Sequence, residues 1–135
     1  MDKYSLAWYE DMIPWQYTNQ WKQLKNSVDT PVCTGEDIYL LEGFKPLIDN
    51  EAVSIIHPDL ATSGGILETK KIGDYAQEKG IPMALHQAGS PIVAMANVHC
   101  AAATEGFIAL EMHSVDNPWW DDLVNFETKK IINNG

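Results

Sequence analysis

Five short apolar runs recur along the chain, each closing on an ionisable side chain, and a loop and a helix-length segment follow each of the first four. The runs occupy residues 6–10, 31–34, 52–57, 81–85 and 107–110. Their near-continuous apolar character is that of strands buried on both faces, which occur in parallel sheets covered by helices. Between them, residues 18–28, 40–50, 66–79 and 90–104 read as helices. Trp21, Leu24 and Val28 share one helical face, and Ile66, Leu67, Ile72 and Tyr75 supply the apolar residues of another segment. Gly43 and Pro46 predict a kink or early stop in the second helix. Gly80 punctuates the end of the third, and Ser90-Pro91 heads the Ala-rich fourth. Strict strand–helix alternation with repeats of roughly 20 to 30 residues predicts an α/β chain, either part of a (β/α) barrel or a doubly wound sheet. No GxGxxG follows the first run and no GxxxxGK[ST] occurs, so nucleotide binding has little support. Residues 114–135 read as loop and tail, with a turn at Asn117-Pro118.

The residues that close the runs are Glu10-Asp11, Glu36-Asp37, Asp59, His86 and Glu111. In parallel α/β architectures the carboxyl edge of the sheet carries the chemistry, and here five successive strands deliver a titratable group to it. Any one of these carboxylates has a plainer reading as a helix cap or a solvated loop carboxylate, and Asp37 is read that way. Five together, with a histidine among them, favour a site. Neighbouring parallel strands lie about 4.8 Å apart, so Glu10 and Glu36 could share a hard cation of the Mg2+ type. Asp59 and His86 could hydrogen-bond, with the carboxylate fixing the imidazole tautomer. Such a set suits removal of a proton beside a substrate carboxylate.

The formal net charge of −10 argues against nucleic acid or an anionic membrane as partner, since both require a basic face. No run of about 18 apolar residues is present. With 135 residues, 45% hydrophobic, the chain can bury one ordinary core. Cys33 and Cys100 lack metal-site spacing and read as reduced, buried thiols, consistent with a cytoplasmic protein.

At these residues the chain resembles the mandelate racemase/muconate lactonizing enzyme branch of the enolase superfamily, especially its sugar-acid dehydratases. The resemblance rests on WYEDMIP around Glu10, TPVCTGED around Glu36, HPDLATSGGI around Asp59, IPMALH around His86 and IALE around Glu111, in that order. It implies Mg2+ ligation by Glu10 and Glu36, acid/base work by His86 paired with Asp59, and a hydrogen bond from Glu111 to the bound substrate. It further implies a hydroxy-acid or sugar-acid substrate. The tail segment NPWWDDLV is similar to the dehydratases too, without implying a role for Trp119 or Trp120.

The same resemblance implies that the chain is the C-terminal five βα units of a modified (β/α) barrel, with residues 1–113 as partial barrel domain and 114–135 as tail. The capping domain, the first three strands, a third metal-ligating carboxylate and a second catalytic group are then expected elsewhere. The alternative is a catalytically inactive structural fragment that self-associates. Open strand edges, and an inner face lined by residues such as Val32, Ile55 and Met83, would make the isolated chain a homo-oligomer. Among the remaining candidates, His57 is read as structural, and His113 as a neighbour of Glu111 by strand alternation. Gly64-Gly65 is either an anion cradle at a helix start or a tight turn.

Overall fold

The computed structural model describes residues 2–114, 116–125 and 130–132. Five strands form one parallel sheet in the order β1 (Tyr9–Glu10), β2 (Val32–Thr34), β3 (Ile55–Ile56), β4 (Met83–Leu85) and β5 (Phe107–Leu110). Helices α1 (Thr18–Ser27), α2 (Leu40–Asp49), α3 (Leu60–Ser63), α4 (Gly65–Gln77) and α5 (Pro91–Ala103) make the crossovers. Spatial order equals chain order, as expected when each βα unit adds its strand beside the previous one.

The strands are shorter than the apolar runs that announce them. The first pairs only over Tyr9–Glu10 and the third only over Ile55–Ile56. Flanking residues still extend the hydrogen-bond ladder. Asp11 N–H donates to Cys33 O, His57 N–H to Thr34 O, and Glu111 N–H to Leu85 O. Asp59 and His86 form a further parallel bridge.

Strand alternation separates two faces. Tyr9, Val32, Ile56, Met83 and Leu85 pack under the helices with Trp21, Phe44, Leu47, Ile48 and Ile72. Cys33, Ile55 and Ala84 lie on the opposite, inner face, against Trp8 and Ala109. The expectation that Val32 and Met83 line the inner face is therefore corrected. Pairing of Cys33 with Ile55, and of Ile56 with Met83, puts both residues in the helix-covered layer. Only Ile55 of that trio faces inward, and it is buried.

Pro46 is accommodated inside α2, and Asn50 donates its side-chain amide to the Pro46 carbonyl. Pro91 takes the first position of α5, where no amide hydrogen is needed. Asp37 does not cap α2, whose N-cap is Tyr39 without a side-chain bond, and is instead an exposed loop carboxylate. Gly64 adopts φ +117°, donates its amide to Leu60 O and turns α3, a helix the sequence pattern does not announce, into α4. That left-handed turn is what the Gly64-Gly65 pair supplies. Cys33 and Cys100 are both buried and free, as expected.

Beyond β5 the chain is not all loose tail. Trp120 is buried and its indole N–H donates to Gly89 O, ahead of a 3-10 turn at Asp121–Leu123. The remainder of the expected tail, 126–129 and 133–135, lies outside the described residues. No helix among the described residues is long and apolar enough to cross a membrane.

Candidate active site

The carboxyl edge of the sheet gathers Glu10, Glu36, Asp59, His86 and Glu111. Alternation decides which way each side chain turns. Cys33, Ile55 and Ala84 point inward, so Glu10 (register partner of Cys33), His57 and His86 (each two residues on) share their side.

Asp59 answers two neighbours at once. Its Oδ1 accepts from the Ala61 amide at 2.7 Å, which caps α3, and its Oδ2 lies 2.7 Å from His86 Nδ1. A carboxylate only accepts, so Nδ1 carries the proton and Nε2 faces the site. The parallel bridge between the two residues makes this contact a consequence of register. His86 Nε2 is 3.0 Å from Glu36 Oε2 and 3.6 Å from Glu111 Oε2. Burial opposes a charge on the ring, but the Asp59 hydrogen bond, helped by Glu36 and Glu111, prevails and raises the imidazole above its ordinary value. Burial likewise raises the Glu36 carboxyl, with His86 pulling against it and Asp11, Asp37 and Glu10 adding to it. At 3.0 Å a protonated Nε2 is within reach to donate to Glu36.

Glu10 and Glu36 come together as expected, and Asp11 joins them. One carboxylate oxygen from each of the three lies within 4.8 Å of the others. Asp11 reaches this position through a left-handed backbone (φ +46°) and accepts the Thr34 hydroxyl. The donor set is all carboxylate, and Glu36 feels the repulsion of Asp11 and Glu10. Hard oxygen donors with mutual negative charge fit a divalent ion of the Mg2+ class.

Two histidines complete the arrangement. His113 Nε2 donates to Glu111 Oε1 at 2.5 Å, on the side that strand alternation predicts. His57, read from sequence as structural, lies on the inner face beneath the acidic cluster. Its Nδ1 donates to Ala84 O at 3.2 Å, and its Nε2 is 3.6 Å from Glu10 Oε1 and 3.5 Å from Glu111 Oε2. The signal that finds it is period two: Ile55 in, Ile56 out, His57 in. His99 is exposed on α5, away from the edge. A cleft of about 470 Å³ opens beside the acidic cluster, walled by Met12, Ile13, Pro14 and Trp15 and floored by Asp11, Thr34 and Glu36.

Residues 1–133 match the family described as enolase C-terminal domain-like. The chain belongs to that family. It is 41% identical over all 135 residues to D-xylonate dehydratase of Haloferax volcanii, of which it covers 32%. Arabinonate dehydratase of Saccharolobus solfataricus is 29% identical over the same 135 residues, 35% of its length. Among solved structures, a mandelate racemase/muconate lactonizing enzyme-like protein from Rubrobacter xylanophilus superposes with a TM-score of 0.90 at 35% identity. The match covers 94% of this chain and 32% of that one. The enolase C-terminal domain-like chain thus spans about a third of the length of the relatives it matches. Within the enolase superfamily its likeness runs to sugar-acid dehydratases and to mandelate racemase/muconate lactonizing enzyme-like structures, and its five strands with the helices between them are part of their barrel architecture.

Proposed function

We propose that these residues serve the Mg2+-dependent removal of a proton α to the carboxylate of a hydroxy acid, in the dehydration of a sugar acid. The observation that carries the proposal is the Asp59–His86–Glu36 line, with hydrogen-bonding distances of 2.7 and 3.0 Å at the two ring nitrogens.

Asp59 holds the Nδ1 proton, so a neutral His86 presents its Nε2 lone pair outward as a base. After accepting a proton there, the imidazolium is stabilised by Asp59, Glu36 and Glu111, so His86 is also competent to return it. In a dehydration the α-C–H bond breaks, its electron pair forms the carbon–carbon double bond, and the β-hydroxyl leaves with a proton as water. His86 is suited to either proton transfer, and the same imidazole serves racemisation if the proton is returned to carbon instead. Glu111, held by His113, is positioned to accept a hydrogen bond from a hydroxyl of the bound acid through Oε2, which has no partner of its own. Glu10, Asp11 and Glu36 would hold the cation. When bound, it would draw negative charge from the substrate carboxylate and so acidify the α-proton. The polar floor and apolar wall of the adjacent cleft suit a polyol chain.

The relatives' names guide the assay. A panel of aldonic acids that includes D-xylonate and arabinonate is incubated with Mg2+ and a full-length homologue carrying these residues in deuterated water, and 2-keto acid formation and α-proton exchange are followed. Turnover or exchange is expected with wild type and lost by more than about a hundredfold in His86→Asn. Equal rates in the variant would remove His86 from the mechanism, and neither process in wild type would remove the reaction.

A further inference from the structure

We propose that the inner face of the sheet carries a second cation site, made by Cys33, His57 and Glu10, that takes a borderline-soft divalent ion of the zinc type. It does not rest on the dehydratase reading, and its donor set differs from the all-oxygen cluster above.

The three side chains each present one ligand atom within 4.8 Å of the other two. Thiolate, imidazole and carboxylate together are a zinc donor set, whereas a hard ion avoids sulfur. His57 is only 1% exposed, and its Nε2 is buried with no hydrogen-bond partner. The Ala84 carbonyl only accepts, so the ring hydrogen bonded to it sits on Nδ1 at 3.2 Å, leaving the Nε2 lone pair aimed at the acidic groups. A backbone carbonyl orienting the far nitrogen in this way is the usual support for a metal-binding imidazole.

What faces that lone pair is also electron-rich. Glu10 Oε1 lies 3.6 Å away and Glu111 Oε2, itself buried and unpartnered, 3.5 Å away. These gaps are long for N–H···O bonds. They are close to the roughly 3.3–3.5 Å edge of a tetrahedron whose ligands stand about 2.0–2.1 Å from one zinc ion. Glu10 is held for this use, because Trp8 Nε1 donates to its Oε2 at 2.7 Å and leaves Oε1 toward His57.

The thiol fits the same reasoning. Cys33 is fully buried on the inner face with Glu10 as its register partner, and the carboxylates of Glu10, Asp11 and Glu111 surround it. The field that opposes a thiolate attracts a cation, and coordination releases the thiol proton to solvent and forms the sulfur–metal bond. A cavity of about 180 Å³, lined by Trp8, His57, Ala84, Ala109 and Glu111, adjoins the His57 and Glu111 side of the site. It also leaves the fourth position to Glu111 or to water. Because Glu10 belongs to both donor sets, zinc on the inner face withdraws a ligand from the Mg2+-type cluster.

The test uses the reduced protein and Co2+ as the spectroscopic probe, with Zn2+ as competitor. Expected are a near-ultraviolet thiolate-to-cobalt charge-transfer band and intense visible bands of a tetrahedral ion, both bleached by Zn2+. Cys33→Ala should abolish the charge-transfer band and weaken Zn2+ affinity by more than about tenfold, while Cys100→Ala and Glu36→Gln keep the band. Saturation without that band, or a band that survives Cys33→Ala, overturns the proposal. So does zinc stabilisation lost in Glu36→Gln but kept in His57→Gln, which would put the ion on the carboxylate cluster. Should Cys33→Ala fail to fold, zinc X-ray absorption on the wild type decides. A sulfur ligand at about 2.3 Å is expected, and a shell of nitrogen and oxygen alone refutes the site.

Discussion

Replacing Asp59 separates its two duties, because Asn and Ala remove different parts of it. Asp59 is 6% exposed, caps α3 through Ala61 and bonds His86, which is 8% exposed. Asn retains a cap oxygen and removes the charge; Ala removes both. The cap is worth about 1 kcal/mol, and a hydrogen bond to a charged partner about 1.5–3 kcal/mol. Asp59→Asn is therefore expected to cost about 2 kcal/mol where His86 is protonated, and Asp59→Ala about 3 kcal/mol. The sign with pH follows from the raised folded-state value of His86. A group so raised contributes stability that is fully present below its unfolded value, about 6.5, and lost as pH rises through its folded value. Urea unfolding at about pH 5.5 and again at about pH 9 should show the Asn penalty shrinking at the higher pH, while the extra cost of Ala over Asn stays near 1 kcal/mol. An Asn penalty independent of pH would refute the coupling and leave Asp59 as a helix cap alone.

A Cβ on Gly35 would meet the His57 backbone at 2.7–2.9 Å, whereas one on Gly80 meets nothing within 4 Å. Gly35→Ala should thus cost about 1–3 kcal/mol by forcing β2 and β3 apart at the site, and Gly80→Ala (φ +69°) only its backbone strain of about 1–2 kcal/mol. Equal urea midpoints with an unshifted His57 resonance in Gly35→Ala would contradict that packing. Trp120→Ala removes a buried indole and its bond to Gly89. We expect a loss of about 3 kcal/mol in thermal unfolding and faster proteolysis in the loop before α5; unchanged cleavage would mean that Trp120 does not anchor that loop. Among the described residues, strands β1 and β5 stand at the two ends of the sheet order, so sedimentation at micromolar concentration should report a dimer, and a monomer at every concentration would show those ends blunted.

Alternation of buried runs with helical spacing was readable because burial on both faces leaves a continuous apolar signature that needs no partner to be recognised. The sheet order follows the same logic, each unit landing beside the last. The ends of those runs named Glu10, Glu36, Asp59, His86 and Glu111 before any geometry. Helix α3 escaped because four residues carry no period, and Asp37 is a solvated loop carboxylate rather than a cap because α2 starts at Leu40, three residues farther on. The place of His57 beneath the acidic cluster escaped for a different reason. Its neighbours Pro58 and Asp59 suggest a strand end, and only the ladder from His57 N–H to Thr34 O keeps it in strand register.

The sequence by itself therefore determined the α/β class, the number of strands and the chemical types delivered to their carboxyl edge, since these depend on local periodicity and on burial of apolar runs. Tertiary structure decided which face each residue meets and at what distance. Register placed Val32 and Met83 under the helices rather than inside, because a shift of one residue exchanges the faces of a strand. It opposed Asp59 to His86, and it set the buried His57 between Glu10 and Glu111, residues 47 and 54 positions away along the chain. Such meetings depend on pairings between distant strands, and no local spacing encodes them.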